Sequence, residues 1–164
     1  MIEAEARKVV RGLYAVTPDR SDTARLLAEV SAALEGGARL IQYRNKTATR
    51  ELRLAQARAL KSLCSTHGAR LIVNDHVDIA LECGADGVHL GGEDGSVRAA
   101  RGTLGPRSVI GVSCYADMPL ARVAQQEGAD YVAFGSFFAS RVKPGAVRAS
   151  VDLLVDARRE LSVP

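Results

Sequence analysis

Leu13-Tyr14-Ala15-Val16-Thr17-Pro18-Asp19-Arg20-Ser21 is the stretch whose reading decides between two architectures. Four residues that suit a strand are stopped by Pro18, which has no amide proton to give a sheet ladder. Ser21, Asp22 and Thr23 supply side-chain oxygens able to cap a helix. Leu26, Leu27, Val30, Ala33 and Leu34 then recur at helical spacing, and Gly36-Gly37 ends the helix. A strand followed by a one-sided helix is an α/β unit. In a doubly wound open sheet the turn after the first strand usually carries a glycine-rich phosphate loop. Thr17 to Ser21 contains no glycine.

The unit recurs along the chain. Strands are expected at Arg39 to Arg44, Leu71 to Asp75, Val88 to Leu90, Val109 to Ser113 and Tyr131 to Gly135. Helices marked by Leu52, Ala55, Ala59, Leu60 and Leu63, by Val97 to Leu104, by Leu120 to Gln126 and by Val151 to Leu161 lie between or after them, with a short one ending at Gly84. Gly37-Ala38-Arg39, Gly68-Ala69-Arg70, Gly84-Ala85-Asp86 and Gly128-Ala129-Asp130 each close a helix and open a strand. Short apolar strands alternating with helices imply a parallel sheet. Polar residues collect at the ends of several different strands, as they do on the active face of a barrel. The expected fold is therefore a TIM (β/α)8-type barrel in one domain spanning residues 1–164, with six of its eight strand–helix units present.

Bulk properties narrow the partners. Among 164 residues, 47% are hydrophobic and 25% charged, with a formal net charge of +3. The basic residues are scattered and aromatics make up only 4%, so no nucleic-acid partner is expected. A few cations gathered around a phosphorylated small molecule account for the charge equally well. Cys64, Cys83 and Cys114 have neither disulfide nor zinc spacing and read as free thiols of a reducing cytoplasm. Residues 1–10 do not read as a secretion signal, and no apolar run reaches the roughly 18 residues of a membrane span. A cytoplasmic protein without a membrane partner is expected.

The strand ends carry the candidate chemistry. Gln42 and Arg44 share one face of their strand and point inward. Arg44 offers a planar fork for phosphate oxygens and Lys46 a mobile point charge; a solvated pair at a strand end is the plain alternative. Asn74-Asp75 and Asp94 follow neighbouring strands. Two such aspartates suit magnesium, which takes one or two carboxylates and completes its shell with water and phosphate. They would equally serve as helix caps. His89 lies within a strand and reads as a hydrogen-bonded core histidine rather than a base. His67 and His76 fall at helix ends. Ser113 is placed to bind a phosphate or a ring nitrogen, and no neighbouring base marks it as a nucleophile. Cys114 reads as a packing residue. Gly135 to Gly145, with Ser140, Arg141 and Lys143, is an anion loop or an ordinary basic loop.

Taken in order, Leu13 to Asp19, Gln42-Tyr43-Arg44-Asn45-Lys46, Asn74-Asp75, Gly87-Val88-His89-Leu90-Gly91, Asp94, Gly111-Val112-Ser113 and Lys143-Pro144 resemble the thiamine-phosphate synthase family from Leu13 to the end. The resemblance implies a magnesium-dependent transfer. A hydroxymethylpyrimidine diphosphate loses pyrophosphate, and the nitrogen of a thiazole phosphate takes its place. It also implies that Arg44, Lys46, Lys143 and Asn74 hold the pyrophosphate and that Asp75 and Asp94 hold Mg2+. Gln42 would orient the pyrimidine, Ser113 would help bind the reacting pair, and Ser140 would keep a substrate-binding hydroxyl.

The sequence departs from the family pattern in three places. Gly92 stands where the family often has glutamine. Ala139-Ser140-Arg141-Val142-Lys143 replaces the usual Pro-Thr-x-Thr-Lys, and the chain stops at Pro164 where a seventh strand is expected. The thiazole-phosphate loop is expected in that absent part. Such a chain would be a poor catalyst, and its unpaired first and sixth strands would favour self-association. An inactive homologue keeping a partial diphosphate and magnesium site, and a relative of the thiazole tautomerases, are the competing readings. Arg44, Lys46, Asp75, Asp94 and Lys143, which a tautomerase relative would not need, argue against the second.

Overall fold

The computed structural model describes residues 10–91, 95–138 and 148–164. Within them the elements alternate as expected. The strands are β1 (Leu13–Val16), β2 (Ala38–Tyr43), β3 (Arg70–Asn74), β4 (Gly87–Leu90), β5 (Val109–Tyr115) and β6 (Tyr131–Phe134). The helices are α1 (Thr23–Glu35), α2 (Arg50–Thr66), α3 (Val77–Cys83), α4 (Val97–Leu104), α5 (Met118–Gln126) and α6 (Val151–Glu160). All neighbouring strands pair in parallel, in the order β1-β2-β3-β4-β5-β6. Asp22 caps α1, accepting from the Arg25 amide, and Thr49, Ser96, Asp117 and Ser150 do the same for α2, α4, α5 and α6.

Strand parity sorts the buried side chains into two layers. Ile41, Tyr43, Leu71, Val73, Val88, Leu90, Ile110, Val112 and Cys114 pack toward the helices, against Leu26 and Val30 of α1, Leu60 of α2 and Ile79 of α3. Leu40, Ile72, Val109 and Tyr131 form a smaller cluster on the opposite, inner face, joined by Val10 and Tyr14. The sheet curls around that inner face. A flat six-stranded sheet at the usual interstrand spacing would separate its outer strands by about 24 Å, more than two tyrosines can span. Yet Tyr14 Oη of β1 lies 2.7 Å from Tyr131 Oη of β6. The result is a parallel, helix-flanked half-barrel. Residues 162–164 lie beside β6, whose Val132 amide donates to the Pro164 carbonyl.

At the N-terminal ends of the strands, two of the repeated Gly-Ala-Asp turns make identical contacts. Asp86 donates its amide to the Leu71 carbonyl, and its Oδ2 accepts from the Leu71 amide and from Lys61 Nζ at 2.7 Å. Asp130 does the same with Ile110, its Oδ2 held by Arg101 at 2.6 Å. These carboxylates face away from the site and hold strands together. Asp130→Ala would leave the Ile110 amide without its acceptor and the half-buried Arg101 guanidinium without its carboxylate, with only backbone carbonyls for partners. Urea unfolding is expected to show a loss of about 3 kcal/mol, and an unchanged midpoint would refute this role.

Candidate active site

At the opposite ends of the strands, Gln42, Arg44, Lys46, Asn74, Asp75 and Ser113 line one polar cavity of about 200 Å³, together with His89, Gly91 and Tyr115. The side chains come from β2, β3, β4, β5 and the turns that follow them. Two cations and one carboxylate among these residues leave the cavity net positive. Lys46 Nζ lies 3.6 Å from Asp75 Oδ2, and Arg44 reaches Asp19 at 3.4 Å. Asp94, Ser140 and Lys143, like Gly92, Ala139 and Val142, lie outside the described residues.

Asp75 is not the N-cap residue of α3. The residue before α3 is His76, which makes no side-chain cap, and Asp75 sits at φ 64° with its side chain in the cavity. Left-handed backbone is rare outside glycine, though aspartate tolerates it better than most residues. Tyr115, also in the cavity wall, has φ 52°. β5 continues two residues past the expected end at Ser113, which carries Tyr115 into the wall.

Several supporting residues carry no signal in the sequence. Thr17 Oγ1 donates to the Arg44 carbonyl at 3.1 Å and accepts from the Arg44 amide at 2.9 Å. Asp19 accepts from the Lys46 amide at 2.9 Å. The Thr17-Pro18-Asp19 turn therefore braces the loop that presents both cations. From below, Gln56 of α2, fully buried, accepts from Tyr43 Oη and Asn45 Nδ2 and donates to the Arg20 carbonyl and Thr23 Oγ1. Every hydrogen-bonding group of that amide is engaged, so the loop is anchored on both sides.

His89 is the core histidine expected, but with a neighbour the sequence did not predict. Its Nε2 lies 2.8 Å from Ser113 Oγ, so the serine has an imidazole neighbour from the adjacent strand. Its Nδ1 lies 2.8 Å from Tyr131 Oη, and Tyr131 in turn reaches Tyr14, which accepts from Gln42 Nε2 at 3.0 Å. Behind this network a larger, mainly apolar space of about 440 Å³ opens on the inner face of the sheet, lined by Tyr14, Gln42, His89 and Tyr131 among others. Cys64 and Cys114 are free and buried, and burial pushes both thiols up to about 11, consistent with inert packing residues. No helix among the described residues is long and apolar enough to cross a membrane.

The family model for thiamine monophosphate synthase matches residues 13–164. The chain belongs to the thiamine monophosphate synthase family. Thiamine-phosphate synthase of Nitrosospira multiformis is 51% identical over 161 residues, covering 98% of this chain and 69% of that protein. The enzyme of the same name from Chromobacterium violaceum is 56% identical over 148 residues, 90% of this chain and 72% of the other. Thiamine phosphate pyrophosphorylase from Pyrococcus furiosus superposes with a TM-score of 0.80 at 32% identity, over 98% of this chain and 74% of that structure. A 3-dehydroquinate dehydratase from Geobacillus kaustophilus, at 16% identity and TM-score 0.65, shares the fold alone. For this member of the thiamine monophosphate synthase family, the matched region takes in the strand-end cluster around Arg44, Asp75 and Ser113.

Proposed function

We propose that this chain is a transferase that joins hydroxymethylpyrimidine diphosphate to thiazole phosphate, giving thiamine phosphate and pyrophosphate. What supports the reading is the convergence of Gln42, Arg44, Lys46, Asn74, Asp75 and Ser113 on one net-positive cavity, in a chain of this family. Arg44 and Lys46 take the diphosphate oxygens, with the Asn74 amide beside them. Gln42 orients the pyrimidine from the buried floor. The carbon–oxygen bond to pyrophosphate breaks, and the electron-rich pyrimidine carries the positive charge left on its methylene. The thiazole nitrogen then gives its lone pair to that carbon. Negative charge develops on the departing oxygens, where fixed cations act most strongly. No protein nucleophile is needed, so Ser113 serves as a hydrogen-bonding group.

The donor set fits a magnesium ion. Asp75 is a partly buried carboxylate in a cavity that also admits phosphate oxygens, and one or two carboxylates are what this ion takes from a protein. Asp75 would hold it, joined by Asp94. Bound there, it would neutralise charge on the leaving group. Lys143 and Ser140 complete the proposed clamp.

Calorimetric titration with pyrophosphate in the presence of Mg2+ tests the clamp. Removing one charged partner costs about 1.5–3 kcal/mol, so Asp94→Ala and Lys143→Ala should each weaken binding by about 10- to 150-fold. Unchanged affinity in both variants would refute it. We also propose that the chain self-associates through the edge of β1, where Leu13 and Val16 are 55% and 54% exposed. Sedimentation of a monomer at all concentrations would exclude this.

A further inference from the structure

His89, Gly111 and Tyr131 are register neighbours on β4, β5 and β6. The middle position is a glycine, and a Cβ built there would lie 1.9 Å from Tyr131 Cζ. The absent side chain leaves room for the Tyr131 ring to lean across β5 and stack on His89, with centroids 5.6 Å apart and planes at 30°. Tyr131 is 4% exposed, His89 6% and Gln42 7%. Gln42, Tyr14, Tyr131, His89 and Ser113 thus form an unbroken hydrogen-bonded chain from β2 through β1, β6 and β4 to β5.

Proton counting gives this chain a direction. Gln42 Nε2 can only donate, so Tyr14 Oη accepts from it. Tyr14 has one proton to place, and Tyr131 Oη is its neighbour at 2.7 Å. With Tyr14 as the donor of that pair, Tyr131 has its own proton left for His89 Nδ1, 2.8 Å away. A neutral imidazole accepting at Nδ1 carries its proton on Nε2, which faces Ser113 Oγ. Burial pushes the Tyr14 and Tyr131 hydroxyls above their usual range, consistent with both staying protonated.

We infer that Tyr14 and Tyr131 are positioning residues that lock His89 as its Nε2–H tautomer, so that the Ser113 hydroxyl is compelled to donate into the polar cavity. Ser113 Oγ already accepts from His89, and its proton is aimed at an acceptor. Diphosphate oxygens are acceptors only, so the site selects that chemistry at this point. The same tautomer bars His89 from taking the serine proton. It is the opposite of the arrangement in a Ser-His-Asp triad, where Nδ1–H donates to a carboxylate and Nε2 is the base. The pair therefore binds an anion and does not make a nucleophile.

The inference rests on the diphosphate reading for its ligand, but the tautomer can be read without any ligand. In 15N-labelled protein, with His89 assigned by comparison with His67→Gln and His76→Gln variants, Nδ1 should resonate as the unprotonated nitrogen. Tyr131→Phe should erase that preference while leaving the folded circular dichroism spectrum intact. A protonated Nδ1 in the wild type would overturn the relay. Pyrophosphate with Mg2+ is the binding probe. Tyr131→Phe should weaken it about fivefold in the wild-type background and less than twofold in a Ser113→Ala background, because the tyrosine acts only through the serine. Equal losses in the two backgrounds would make Tyr131 merely structural and overturn the proposal. A wild-type chain that binds no pyrophosphate would overturn the functional reading instead, and the nitrogen spectrum would still decide the relay.

Discussion

Arg44→Ala is expected to lower the rate of thiamine phosphate formation by about 10²-fold, and Lys46→Ala by a comparable factor, with little change in stability. Loss of one donor to charge developing on a leaving group typically costs 10²–10³ in rate, roughly 3–4 kcal/mol. The fold should not register either change. Among the described residues Arg44 meets Asp19 through its side chain, at 3.4 Å, and the Lys46 side chain is 53% exposed. The loop's position is set by the Arg44 and Lys46 amides, held by Thr17 and Asp19, by the Asn45 carbonyl, held by Arg53, and by the Asn45 side-chain amide on Gln56, none of which involves the Arg44 or Lys46 side chain. Arg44→Lys should recover only part of the loss, because an ammonium cannot reproduce the two parallel bonds of a guanidinium. Single-turnover assays with both substrates would measure this. Activity within twofold of wild type in both alanine variants would remove these residues from the clamp.

Gly111→Ala should destabilise the protein by about 3 kcal/mol, near the upper end for overpacking a core. The added methyl would occupy the space of the Tyr131 ring, 1.9 Å from Cζ and 2.3 Å from the hydroxyl. The ring has to leave, and it takes with it the contacts to His89 and Tyr14. In a Tyr131→Ala background the space is already empty, so there the same change should cost under about 1 kcal/mol. Gly87→Ala is a control of a different kind. Its Cβ would meet the Val109 carbonyl oxygen at 1.9 Å, and no side-chain deletion relieves a clash with backbone. Equal costs for Gly111→Ala in the two backgrounds, measured by urea unfolding, would show that the ring is not what the glycine accommodates.

Much of this architecture was legible because it depends on local pattern. Helix stripes such as Leu26, Val30 and Leu34, and glycine-ended helices, announce alternating units, and parity alone sends Gln42 and Arg44 to one side. The polar residues after successive strands were legible for the same reason. What escaped were partners distant in sequence. Tyr14 and Tyr131 read as ordinary members of apolar strands, yet they meet 117 residues apart. Thr17 and Asp19 read as a strand stop and a turn, whereas they brace Arg44 and Lys46 across 27 residues. The imidazole beside Ser113 is invisible in the sequence because His89 is on the neighbouring strand, not nearby in the chain. The left-handed backbone of Asp75, φ 64°, which turns the chain between β3 and α3, carries no mark in the sequence.

The paired contacts of Asp86 and Asp130 have a bearing on how such a chain can be cut and rejoined. The same three-part joint occurs twice: a cation from the helix before the earlier strand, an amide of that strand, and an aspartate opening the next. Each joint fastens two consecutive strands and makes the doublet, not the single strand–helix unit, the natural tile of this sheet. A break between β4 and α4 would leave both joints whole, with α2, β3 and β4 in one piece and α4, β5 and β6 in the other. A break between β5 and β6 would sever one of them. Split or circularly permuted versions of the protein should therefore tolerate new ends around Gly95, ahead of α4, far better than around Gly128.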